Sequence, residues 1–262
     1  MNKYKLVIFE TNKKEGCMSL AKHLYPDNIT EEEIKKRLSA VKNKIGNKYN
    51  FNSKHILQPS QKDVEKNIDY PDGTYIKIDP KKITKEDYWY EKLPCDILLI
   101  TKENPNIVIG HRMADCPVII AEDVKKQVAA ISHCGASQIN RQVPSYTIKA
   151  LLESENSNPQ NIHVYIGSCI KKESYQYDKF PNWATDREVW KKCIVKKENI
   201  YYIDLIKAIK NQLIQAGILN DNIKISPIDT YINQEYYSHS KYVKGEEKDR
   251  GQNFVGCFYR KI

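Results

Sequence analysis

The sequence predicts a single α+β domain over residues 1–262, and three observations carry that prediction. Short β-branched runs and amphipathic helical stretches are mixed without the strict alternation of a parallel α/β sheet. A hairpin stands mid-chain, with Pro117-Val118-Ile119-Ile120-Ala121 and Val128-Ala129-Ala130-Ile131 as arms around the polar turn 122–127. No repeat or low-complexity linker divides the chain, and its length suffices for one full core.

Taken in order, residues 4–9 (YKLVIF) form a first strand, and a polar loop follows through Gly16-Cys17-Met18-Ser19. Thr30 is placed to cap a helix, with Glu33 completing a capping box and Ile34, Leu38, Val41 and Ile45 on one face. Gly46 is the expected stop. Residues 55–58 form a short strand that Pro59-Ser60 interrupts. Residues 67–93 are polar, Tyr-rich and too long for an ordinary connection, so they read as a surface excursion or lid with a strand near 75–78. Strands over 96–100 and 107–110 lead into the hairpin. A helix over 145–152 turns Ile148, Leu151 and Leu152 to the sheet, and a strand over 162–166 ends at Gly167-Ser168-Cys169. Residues 185–188 open a short helix carrying Trp190. A longer helix over 202–217 places Leu205, Ile206, Ile209, Leu213 and Ile214 inside and closes at Gly217. The remaining strands are 223–228 and the half of 250–258 nearest the C-terminus.

Composition bounds the function. The net charge of +9 comes from lysines spread along the chain beside Glu and Asp, which reads as a solvated basic surface. That disfavours a dedicated nucleic-acid patch and favours an anionic small substrate. Seven cysteines, an odd number without a framework, and no charged-then-apolar leader point to reduced thiols in a cytoplasmic setting. No apolar run approaches the ~20 residues that cross a bilayer, so no membrane partner is expected.

The hairpin carries the chemistry. In an antiparallel pair the residue entering one arm lies beside the residue leaving the other, which makes neighbours of Cys116 and His133. A thiol and an imidazole so held serve as a soft metal site or as a nucleophile and its base, and spacing leaves both open. Cys169 could bring another thiol near, or be a small buried residue.

In this order, Ala114-Asp115-Cys116-Pro117-Val118, His133-Cys134-Gly135, Gly167-Ser168-Cys169-Ile170, Ser238-His239-Ser240-Lys241 and Arg250-Gly251 resemble the YfiH family. It is also called the laccase-domain or multicopper polyphenol oxidase family, and some members are purine nucleoside phosphorylases. The resemblance implies an α/β sandwich of mixed sheets flanked by helices, with zinc held by two histidines and a cysteine near a pocket for a nucleoside and phosphate. It matches Cys116 to the cysteine ligand and His133 to the second histidine, the expected catalytic and metal-binding residues, and beside them Asp115, Arg141, Cys169, Ser238 and Arg250 are the expected substrate-binding residues.

Three positions depart from the family pattern. Ser60 stands where the first histidine ligand is expected, which weakens zinc unless His111, Cys134, His239 or Cys17 substitutes. The family's His-Ala-Gly-Trp-Arg-Gly is His133-Cys134-Gly135-Ala136-Ser137-Gln138, which loses a phosphate-clamping arginine that Arg141 or Arg250 would have to replace. A Cys-Thr pair becomes Asp229-Thr230. Copper is disfavoured: a multicopper cluster needs roughly ten histidines in paired spacings, and this chain has six and no His-X-His. The expected function is phosphorolysis or deamination of a purine nucleoside. The alternatives are a metal-free Cys-His hydrolase or deamidase, and an inactive homologue that binds a ligand.

Overall fold

In the computed structural model, residues 3–19, 21–25, 28–60, 62–63, 68–69, 71–79, 81, 93–185 and 187–262 are described. Strand β1 (Tyr4–Glu10) precedes helix α1 (Glu31–Tyr49), and β2 (Ile56–Leu57), β3 (Tyr75–Lys77), β4 (Ile97–Thr101) and β5 (Val108–Met113) follow. The hairpin is β6 (Val118–Asp123) and β7 (Val128–His133), leading into α2 (Ala136–Asn140), α3 (Val143–Glu155) and β8 (Ile162–Ile166). Then come β9 (Gln176–Tyr177), α4 (Arg187–Trp190), β10 (Ile194–Lys197), β11 (Ile200–Ile203), α5 (Leu205–Gln215), β12 (Ile223–Ile225), α6 (His239–Val243) and β13 (Asn253–Lys261).

Two sheets stack face to face because their strands alternate apolar residues to both sides. One has the order β1-β13-β5-β2, the other β12-β8-β6-β7-β4-β3. Between them, Leu98, Val118, Ile120, Ala129 and Ile131 meet Ile109, Met113, Val255, Cys257 and Tyr259. The opposite face of the six-stranded sheet, with Ile119, Ala121, Val128 and Ala130, packs on Ile148 and Leu151 of α3 and Ile209 and Leu213 of α5. The outer face of the four-stranded sheet sets Phe9, Val108, Phe254 and Phe258 against Leu38 and Ile45 of α1. The result is helix, sheet, sheet, helix: an α+β chain in the mixed sandwich that the family resemblance implies. A third, small sheet, β9-β11-β10, is added at one side. Among the described residues no helix is long and apolar enough to cross a membrane.

Local chemistry explains where elements fall differently. Thr30 does cap α1 in a capping box, but the helix passes Gly46 and ends at Asn50 in a left-handed conformation. Gly46 is there for packing: a Cβ would come 2.8 Å from the Phe51 carbonyl oxygen. Lys42 is buried, whereas Val41 is only half-buried. Pro59-Ser60 does not simply break the chain, since both residues pair in parallel with Leu93 and Pro94. Tyr202 and Ile203 belong to β11, and Asp204 caps α5 by accepting from the Lys207 N–H at 2.8 Å, so that helix begins only at Leu205. Ile214, expected inside, is 46% exposed. Strand β12 stops at Ile225. The 67–93 excursion lies partly outside the described residues; its described strand β3 pairs in parallel with β4.

Candidate functional site

The site forms where the layer between the sheets opens. On β5, Ile109 and Met113 point between the sheets, and period-2 alternation puts His111 on the same face. On β7, Ala129 and Ile131 do the same, and His133 is the next residue in that series. One histidine thus comes from each sheet. Their rings stack with centroids 4.8 Å apart and planes 19° apart.

Cys116 enters just ahead of β6. His133 is in register with Val118, and the Cys134 N–H donates to the Pro117 carbonyl at 2.8 Å, so the hairpin mouth is closed by backbone. A Cβ on Gly135 would stand 3.0 Å from Cys116 Sγ and 3.1 Å from His133 Cε1, so thiol and imidazole both crowd one backbone point. Both line a cavity of about 380 Å³, together with His111, Gln58, Ser238, His239, Arg250 and Gln252.

Burial sets the protonation states. It drives His133 down to about 4 and His111 well below the usual imidazole value, with the neighbouring His133 adding to the second shift. Both rings are therefore neutral at pH 7. His111 Nδ1 lies 2.9 Å from the Arg112 carbonyl oxygen, so Nδ1–H donates there and Nε2 is left as an acceptor. That Nε2 has no partner, and neither do Gln58 Oε1 and Gln252 Oε1 in the same cavity wall. Cys116 is pushed up to about 12, first by burial and then by Asp115 and Cys169, which keeps it a thiol.

The other expected residues are placed differently. Asp115 is 95% hidden behind the site: Thr230 Oγ1 donates to Oδ1 at 2.7 Å, and Ser238 Oγ and the Ser240 N–H donate to Oδ2 at 3.0 and 2.6 Å. It anchors α6 instead of facing a ligand. Arg141 is clamped by Asp96, at 2.7 and 3.1 Å, and by Asp72 at 2.7 Å, and it is not in the cavity wall. Cys169 is fully buried beside Lys171 and pairs with Asp229, also outside the wall. Ser238 and Arg250 do line the cavity. From the sequence, His111 is expected only as a substitute ligand, and neither Gln58 nor Gln252 stands out as a site residue. Alternation from Ile109 and Met113 was the signal for His111.

A zinc ion does not fit these donors. Among the described residues, no group of three or more His, Cys, Asp or Glu side chains is arranged to hold a metal. Imidazoles that share zinc aim their lone pairs at one point about 2 Å from each nitrogen, whereas stacked rings aim theirs in parallel planes. Ser60, which stands where the first ligand is expected, lies outside the cavity wall in its bridge to Pro94.

The family model described as multi-copper polyphenol oxidoreductase laccase matches residues 81–256. The chain belongs to that family. A curated relative, the purine nucleoside phosphorylase YlmD of Bacillus subtilis (strain 168), is 24% identical over 140 residues, 52% of this chain and 50% of the relative. The match therefore spans only half of that protein. Two crystal structures share the fold. YlmD from Geobacillus stearothermophilus has a TM-score of 0.75 at 17% identity, over 97% of this chain and 92% of its own. The hypothetical protein YfiH of Bacillus licheniformis has a TM-score of 0.68 at 19% identity, over 85% and 81%.

Proposed function

We propose that this family member binds a purine nucleoside in the cavity between His111, His133 and Cys116 and cleaves its glycosidic bond with phosphate as acceptor. The observation that carries the reading is the set of unpaired buried acceptors, His111 Nε2, Gln58 Oε1 and Gln252 Oε1, on three residues that line one cavity. Burying a polar atom without a partner costs about 1–3 kcal/mol, so a ligand that supplies N–H or O–H donors recovers that loss. Purine amino and ring N–H groups and ribose hydroxyls are such donors.

In phosphorolysis a phosphate oxygen bonds to C1′, the C1′–N9 bond breaks, and its electron pair leaves with the base, which takes up a proton. That proton comes from the phosphate hydroxyl, and His133, half-buried and neutral at pH 7, can accept it and pass it to the base. Arg112 and Arg250 in the wall offer positive charge to the phosphate. The Cys116 thiol, held protonated by burial, counts against the hydrolase or deamidase alternative, which needs a thiolate.

Binding without turnover is the second reading. It is favoured by Arg141, whose guanidinium is already occupied by Asp96 and Asp72. One assay separates the two: release of free base from adenosine or inosine, with and without phosphate, in wild type and His133→Ala. Phosphate-dependent release that the variant loses supports phosphorolysis. Saturable nucleoside binding with no release leaves the binding role, and no binding at all sinks both.

A further inference from the structure

A second, larger cavity of about 740 Å³ adjoins the first, and the two share His23, Leu24 and Arg250 in their walls. Its chemistry is different. Arg37, Lys248 and Arg250 face it with Tyr25, Tyr237 and Tyr242, against one carboxylate among the described residues, that of Asp249. Cations interleaved with aromatic rings suit a flat ligand that carries negative charge.

Arg250 joins the two. Its guanidinium lies over the Tyr242 ring, 5.1 Å from the centroid, and no carboxylate pairs with it among the described residues. Its Nε is buried with no hydrogen-bond acceptor. The first cavity thus presents unpaired acceptors and the boundary presents an unpaired cationic donor. Inorganic phosphate answers the second need but lacks a base and ribose to span the first cavity; a free nucleoside spans it without the negative charge.

We propose that the natural ligand is a nucleoside monophosphate, its phosphate ester held at Arg250 and the basic, tyrosine-lined cavity, and its N–H and O–H donors at His111, Gln58 and Gln252. The inference rests on the nucleoside reading above and adds the charged group to it. Charge-assisted hydrogen bonds from a guanidinium to phosphate are worth about 1.5–3 kcal/mol, which corresponds to roughly 10- to 100-fold in affinity.

Calorimetric titration of the whole chain with adenosine, adenosine 5′-monophosphate and inorganic phosphate tests it. The monophosphate is expected to bind at least 10-fold more tightly than either of the others. Arg250→Gln should remove that advantage, read as the ratio of monophosphate to adenosine affinity. If Arg250→Gln fails to fold, the double variant Arg37→Gln, Lys248→Gln, at two exposed positions, should reduce monophosphate affinity and spare adenosine. Equal affinity for adenosine and its monophosphate overturns this inference while the nucleoside reading stands. Inorganic phosphate binding as tightly as the monophosphate, with adenosine silent, also overturns it. If neither nucleoside nor monophosphate binds, both readings fall.

Discussion

Replacing Asp115 by Asn is the sharpest test of how the site is held together. The carboxylate is 5% exposed and accepts three hydrogen bonds, two from hydroxyls and one from the Ser240 N–H. Asparagine keeps an oxygen for Thr230 but turns its NH₂ toward Ser240, whose N–H stood 2.6 Å from the lost oxygen. Two donors then face each other, and Ser238 must turn away. Each hydrogen bond to an ionised group contributes about 1.5–3 kcal/mol, so losing two costs about 3–5 kcal/mol after partial relaxation. At roughly 2–4 °C per kcal/mol for a chain of this size, the melting temperature should fall by about 10 °C. Urea unfolding gives the free energy directly, and Thr230→Val, which removes one bond, should cost about half as much. A variant within 0.5 kcal/mol of wild type would refute the idea that this carboxylate ties the C-terminal segment to the hairpin.

Other perturbations test separate parts. Because burial drops His133 to about 4, its neutral form stabilises the fold fully above pH 6.5, and the contribution is lost as pH falls toward 4. About 2 kcal/mol should be gone by pH 5, so urea unfolding of His133→Gln at pH 8 and pH 5 should show a shallower pH dependence than wild type. Gly110→Ala places a Cβ 1.8 Å from Phe254 Cζ, which forces the ring out of the cluster under α1. It should cost about 3 kcal/mol or more, read as a lower denaturation midpoint. Protein purified without chelator should contain far less than one zinc per chain, and elemental analysis giving one equivalent that Cys116→Ala removes would contradict the donor geometry. A small thiol reagent at pH 6 should show no preference for Cys116, whose thiol titrates only near 12.

What the sequence disclosed follows from the range of each signal. The hairpin was legible because β-branched arms and a polar turn are local, and its register brings Cys116 and His133 together without reference to the rest of the chain. The cap of α1 was local too, and Thr30 with Glu33 marks it correctly. Gly46 misled because a glycine chosen for close approach to Phe51 looks the same in sequence as one chosen to end a helix. Arg141 misled for a different reason: the carboxylates that hold it, Asp72 and Asp96, are 69 and 45 residues away, and no pattern links them. Small strands such as β9 and β10 escaped notice because each buries little.

The two stacked imidazoles are anchored in different sheets, so the hydrophobic filling between those sheets helps to set the gap between the rings. Ile109, Met113, Ile131 and Val118 act as the shim. Trimming any of these would let the sheets settle and bring the rings closer, while a bulkier substitute would wedge them apart. The reach of the site is thus inherited from oil-like contacts well below it, and a change that touches no polar group could retune it.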